Sequence, residues 1–222
     1  MIVNYNYIEV DNGQPLFYAW RGEDREGSWM TKRTARIRNM VLAAMFAALL
    51  AVSGQIAIPV PPVPVTLQTL VVMLAGSVLG ARWGATSVAI FILLGAFGVP
   101  VLSGGQGGLA VLVGPTGGYI WSWPLAAFLI GWMTERSAPR LRFWKLLVYH
   151  VVWGMALIYL CGTLWMMFSL ELDVRAALAG GVLPFIPGDA VKAVVASTAA
   201  LSLNRAWPIL RPRREPVDEK TA

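Results

Sequence analysis

Asp189 and Lys192 stand three residues apart in the last of six apolar segments, and they are the only formal charges inside it. On a helix that spacing puts both side chains on one face. A charge near the bilayer midplane costs about 2.5–3.5 kcal/mol on insertion scales, so such residues face a cavity and pair with something. The ammonium can bind an acid and the carboxylate can accept N–H donors, which suits a ligand with a carboxylate and a polar ring. The competing reading is a helix-start aspartate favoured by the dipole, with Lys192 snorkelling outward from a turn deeper.

Other chemistry finds little support in the residue types. No G-x-x-x-x-G-K-[ST] loop is present, so ATP hydrolysis is expected from a partner and not from this chain. His150 is the only histidine and Cys161 the only cysteine. They sit eleven residues apart, which provides neither a metal-ligand set nor a nucleophile–base pair. His150 reads as interfacial or structural, and Cys161 as a small buried hydrophobe. No catalytic residue, metal or cofactor is expected.

The remaining polar candidates lie in uncharged stretches rich in proline and glycine. Non-helical backbone at membrane depth is tolerated where protein buries it or where it lines a cavity, so these stretches predict a pocket. Ile58 to Gln68 (IPVPPVPVTLQ) contributes Thr66 and Gln68. Ser103 to Gly108, carrying Gln106, reads either as a lid or as a surface loop. Gly114 to Tyr119 (GPTGGY) brings backbone amides, Thr116 and the Tyr119 ring to the start of the fourth apolar segment, where glycine permits close backbone approach.

The elements that must position these groups are membrane helices. Of 222 residues, 57% are hydrophobic and only 14% charged, with ten tryptophans, a composition of polytopic membrane proteins. The net charge of +6 is topological: the basic residues flank apolar segments, and no basic, aromatic-interleaved face exists for nucleic acid. The apolar segments cover about 39–57, 67–81, 84–99, 118–134, 144–168 and 184–204. The second and third are short for spans, which need about 20 residues. They therefore either extend into their loops or form an irregular, partly re-entrant hairpin around Arg82. Pro187 fits the first turn of the last helix, just ahead of Asp189.

Lys32, Arg33, Arg36 and Arg38, then Arg82, then Arg136, Arg140, Arg142 and Lys145, then Arg205, Arg211, Arg213 and Arg214 all fall on one side of a six-span arrangement. Both termini are accordingly expected in the cytoplasm, with the Gly/Pro-rich connections outside. The expected organisation is a polar extension over 1–38, with translation starting at Met30, a six-helix domain over 39–204, and a basic cytoplasmic tail over 205–222. Ala43, Ala47 and Ala51, with Ala44 and Ala48 alongside, give the first span a small-residue face for another helix. From the residues alone that helix is either intramolecular or another subunit's.

Taken in order over about 31–205, several motifs resemble the BioY family, biotin-binding S components of energy-coupling factor transporters. They are the PPVPVTLQ core within Ile56–Gln68, Gly95 to Pro100, Gly104 to Gly108, GPTGGY at 114–119, and Pro184-Phe185-Ile186-Pro187-Gly188-Asp189 with Lys192. The resemblance implies an all-α, six-span cell-membrane protein that captures biotin outside and works with a transmembrane coupling subunit and two ATPases. It implies that Ala43, Ala47 and Ala51 dock on that coupling subunit. It places Asp189, Lys192 and Tyr119 in the biotin pocket, with Thr116 and residues of the first outer loop beside them. Lys192 is expected to pair the valerate and Asp189 or a threonine to read the ureido ring. The polar stretch before Met30 departs from the family pattern. An S component for another small carboxylated vitamin, or a stand-alone facilitator, are the alternative readings.

Overall fold

In the computed structural model, residues 27–60 and 62–206 are described. Expectations about the extension before residue 27 and about Arg211, Arg213 and Arg214 lie outside them. The chain divides into two compact units, Met1–Ala35 and Arg36–Ala222. Of the first, residues 27–35 are helical. The core and the site belong to the second.

Helix α1 (Gly27–Gln55) is followed by a two-residue antiparallel pair, β1 (Ala57–Ile58) and β2 (Val65–Thr66), in the register Ala57↔Thr66 and Ile58↔Val65. The prolines between the strands cannot continue a helix, and the antiparallel pair makes this connection a short hairpin. Helix α1 buries Ala43, Ala47 and Leu50 at 1%, 2% and 0% exposure. Ala51 packs partly buried on the same core. The expectation that Ala43, Ala47 and Ala51 dock on a partner is corrected here: small side chains let this face approach the chain's own helices. The outward face carries Val41, Ala44, Met45, Ala48, Leu49 and Val52.

Helix α2 (Gln68–Ala96) joins the second and third apolar segments and is broken at Gly80, whose φ of 82° is costly for any residue with a Cβ. The break lies two residues before Arg82, around which the sequence reading centred its hairpin. Past it the chain doubles back: a Cβ on Gly84 would lie 2.7 Å from the Ala75 carbonyl oxygen. A new helix start leaves free amides. The Ala81 N–H donates to Glu135 Oε1 at 2.9 Å. Gly131 lets the chain pass within van der Waals contact of Gly80 and Ala81, where a Cβ would lie 2.3 Å from the Ala81 nitrogen.

A short 3₁₀ turn (Ser103–Gly105) and helix α3 (Leu109–Val113) precede α4 (Gly117–Ser137), which forms the largest interface with α2. Helix α5 (Phe143–Tyr149) runs through a π-helical stretch (His150–Ala156) into α6 (Leu157–Leu170). His150 is fully buried in that stretch, structural and not interfacial. Its Nδ1 lies 2.9 Å from Ser197 Oγ, whose own hydrogen is given to the Ala193 carbonyl at 2.6 Å, so His150 donates through Nδ1–H. The connection after α6 folds into α7 (Val174–Gly181), capped by Asp173 accepting from the Ala176 N–H at 2.9 Å. Helix α8 (Ile186–Ala206) closes the bundle, with Pro187 in its first turn.

Four helices among the described residues are long and apolar enough to cross a membrane: Arg33–Gln55, Gln68–Ala96, Phe143–Leu170 and Ile186–Ala206. The architecture is helical, as expected of a membrane protein.

Candidate functional site

The first turn of α8 sets Asp189 at 3% and Lys192 at 8% exposure, one turn apart on the inner face. Their ion pair is 2.8 Å long. The snorkelling lysine of the competing reading is not seen: the ammonium stays inside and uses all three of its donors. They go to Asp189 Oδ1 at 2.8 Å, Thr69 Oγ1 at 3.1 Å and the Thr66 carbonyl at 2.5 Å. Thr69 in turn donates to Asp189 Oδ1 at 3.1 Å, and Tyr159 donates to Oδ2 at 2.6 Å. A buried pair left with open donors would be strongly unfavourable; this one is satisfied from α2, strand β2 and α6.

The sequence reading missed Thr69 and Tyr159. A lone hydroxyl in an apolar span has no spacing signature. The available signal was indirect: a buried aspartate and lysine require partners, and hydroxyls at similar depth on facing helices are the residues able to supply them.

Beside the pair lies a narrow space of about 50 Å³, bounded by Thr66, Thr69, Ile158, Tyr159, Phe185, Asp189 and Lys192 among others. A larger cavity of about 730 Å³ adjoins it, sharing Val63, Pro64, Thr66, Tyr119 and Trp123 as common walls. Thr66, Gln68, Gln106, Thr116 and Tyr119 all line the larger cavity, which has no charged residue in its wall. The structure therefore gathers all seven expected pocket residues around two adjoining spaces.

Several of them are also structural. Gln68 is 1% exposed, accepts from Thr66 Oγ1 at 3.3 Å and reaches the Leu50 carbonyl at 3.5 Å, tying α2 to α1 where Gly54 leaves room. Tyr119 donates to the Gly181 carbonyl at 2.9 Å, and its ring fills the space left by the missing Cβ of Gly162. Gln106 is exposed at the mouth. The glycine loop around it is held by its own backbone: Leu102 N–H to Gln106 O at 2.9 Å and Gly108 N–H to Gly95 O at 2.7 Å. Trp123, unforeseen in the sequence, forms a wall of both spaces and stacks on Phe91 with centroids 6.1 Å apart.

Such an arrangement can hold a small molecule with one polar end seated among Asp189, Lys192, Thr66 and Thr69, and a body in mainly apolar surroundings. Neither Cys161 nor His150 lines either space.

Comparison with known proteins bears on what that molecule is. The model of the BioY family matches residues 30–209. The biotin transporter BioY of Thermotoga maritima is 41% identical over 169 residues, covering 76% of this chain and 97% of that protein. The probable biotin transporter BioY of Bacillus subtilis is 39% identical over 177 residues, covering 77% and 92%. A crystal structure of the S component for biotin from an ECF-type ABC transporter superposes with a TM-score of 0.74 at 30% identity, covering 78% of this chain and 93% of that one. On the extent of these matches, the chain belongs to the BioY family.

Proposed function

We propose that this chain is a biotin-capturing S component: it binds biotin from outside and delivers it inward with an energy-coupling module. One observation supports the substrate most directly, the closed Asp189–Lys192 pair beside a space of about 50 Å³ that adjoins a larger, charge-free cavity. The narrow space is small and bounded by Asp189, Lys192, Thr66 and Thr69, which suits a compact polar group such as a urea, N–C(=O)–N. The rest of the ligand, a sulfur ring and an aliphatic chain, suits the apolar cavity beside it.

This reverses the orientation expected from sequence. Lys192 is already neutralised by Asp189, so the pair presents no net charge to a ligand. A carboxylate brought to Lys192 would meet Asp189 within the same shell, and like charges close together in a desolvated site cost several kcal/mol. A neutral urea avoids that penalty. Its N–H can donate to the aspartate and its carbonyl can accept from the lysine. The valerate carboxylate then points to the mouth, among the hydroxyls and amides of Ser103, Gln106 and Thr116.

Affinities of the Lys192→Ala variant for biotin and for biotin amide separate the two orientations. Equal losses for both ligands are expected, because the amide differs only at the mouth. A loss confined to the free acid would overturn the ring-inward reading.

The rest of the transport reading follows from the family. The bundle crosses the cell membrane six times, with the two arms of α2 and the 21-residue α4 counted as spans and both termini cytoplasmic. The coupling subunit docks on the outward face of α1, where Ala44 and Ala48 allow close helix approach between Val41, Met45 and Val52. Two ATPases in that module supply the energy that resets the loaded protein.

A further inference from the structure

We infer that Tyr159 is a specificity-determining residue, which makes the site accept a neutral cyclic urea and reject its cyclic guanidinium counterpart. The inference rests on the ring-inward reading above and goes further, from the valences of the buried network. An ionised carboxylate offers about four lone-pair positions. On Asp189, Oδ1 uses two, for Thr69 and Lys192, and Oδ2 uses one, for Tyr159. A single acceptor position stays open, on Oδ2.

No donor position stays open. Lys192 spends all three hydrogens, and the hydroxyl hydrogens of Thr69 and Tyr159 are both committed to Asp189. A ligand N–H can therefore enter without rearrangement, whereas a ligand carbonyl must take a lysine hydrogen from a present partner. The Thr66 carbonyl is the candidate to yield, because it alone of the three lies outside the long helices. A urea makes this exchange with one N–H on Asp189 and its oxygen on Lys192.

A guanidinium replaces that oxygen with a nitrogen donor and adds a positive charge. It would set donor against donor at Lys192. Its natural mode on a carboxylate is the two-pronged fork, with one N–H on each oxygen or both on one edge. Oδ1 is already full, so a pair of guanidinium N–H groups has to land on Oδ2, and Tyr159 holds one of its two positions at 2.6 Å. Tyr159 is thus a positioning residue for Asp189, and its hydroxyl decides which ring chemistry the aspartate can receive.

The test compares biotin with 2-iminobiotin, its guanidinium isostere, by calorimetry on the full chain in detergent at neutral pH. Wild-type protein is expected to favour biotin by about 100-fold or more, as juxtaposed like charges require. Tyr159→Phe is expected to weaken biotin about tenfold while leaving 2-iminobiotin unchanged or tighter, narrowing the ratio at least tenfold. Tyr159→Gln, which keeps an N–H donor, is expected to restore most of the wild-type ratio. Equal losses for the two ligands in Tyr159→Phe would overturn the inference. So would near-equal affinities in the wild type, a result that needs no variant to fold. Failure of wild-type protein to bind biotin at all would instead defeat the functional reading on which the inference stands.

Discussion

The Asp189–Lys192 pair should behave as one unit in stability, and a double-mutant cycle measures that. Lys192→Met leaves the Asp189 carboxylate inside the bundle with two hydroxyl donors, from Thr69 and Tyr159, and no cation. Asp189→Asn leaves the ammonium with the Thr66 carbonyl and Thr69 and no anion. Both residues are nearly inaccessible to solvent. Breaking a buried pair from one side costs about 3–5 kcal/mol, because the remaining charge is uncompensated. For a chain of this size 1 kcal/mol moves the melting midpoint by about 2–4 °C, so each single variant should melt roughly 6–20 °C lower. The double variant removes both charges and should melt above the worse single, with a coupling of about 2 kcal/mol or more. Intrinsic fluorescence during thermal unfolding in detergent, without biotin, reports the midpoints. Additivity within about 0.5 kcal/mol would refute the claim that these two charges are satisfied chiefly by each other.

Three further outcomes follow from the packing. Gly162→Ala puts a methyl group where the Tyr119 ring lies, with the nearest ring atom 2.2 Å from the added carbon, so stability should fall by about 1–3 kcal/mol in melting experiments and biotin binding should weaken as Tyr119 shifts. Glu135→Ala removes the acceptor from the Ala81 amide, which should cost about 0.5–2 kcal/mol of stability while leaving the biotin dissociation constant unchanged, since Glu135 lines neither space. Ala47→Leu overpacks the core and should lower the melting midpoint, whereas Ala48→Leu on the outward face should leave melting and biotin binding intact but reduce co-purification with the coupling subunit.

What could be read from the chain was set by how local each signal is. Helix α8, its Pro187 start and the Asp189–Lys192 face were legible because proline placement and the three-residue spacing are local properties. The helix pair around Gly80 was legible only approximately. Two short apolar segments left open either extension into their loops or a hairpin around Arg82, and the break sits at Gly80, where a left-handed glycine is needed. The pocket loops were legible as uncharged irregular backbone, which has to line something. The face of α1 was misassigned, since alanines at four-residue spacing indicate close helix approach without saying whose helix approaches; Ala43 and Ala47 serve the chain's own core. Thr69, Tyr159 and Trp123 were illegible, being single residues from three helices that meet only after folding. The same holds for the direction of the ligand. A lysine and an aspartate on one face can each take a ligand group or take each other, and it is the 2.8 Å contact that shows them paired with each other.

The most direct test of the account is calorimetric titration of biotin into the purified chain, with Asp189→Asn and Lys192→Ala alongside. Tight one-site binding by the wild type, weakened about 30-fold or more in each variant as expected for loss of a buried charged hydrogen bond, is the outcome the account requires. A folded wild-type chain that takes up no biotin, or variants that bind as tightly as the wild type, would contradict it.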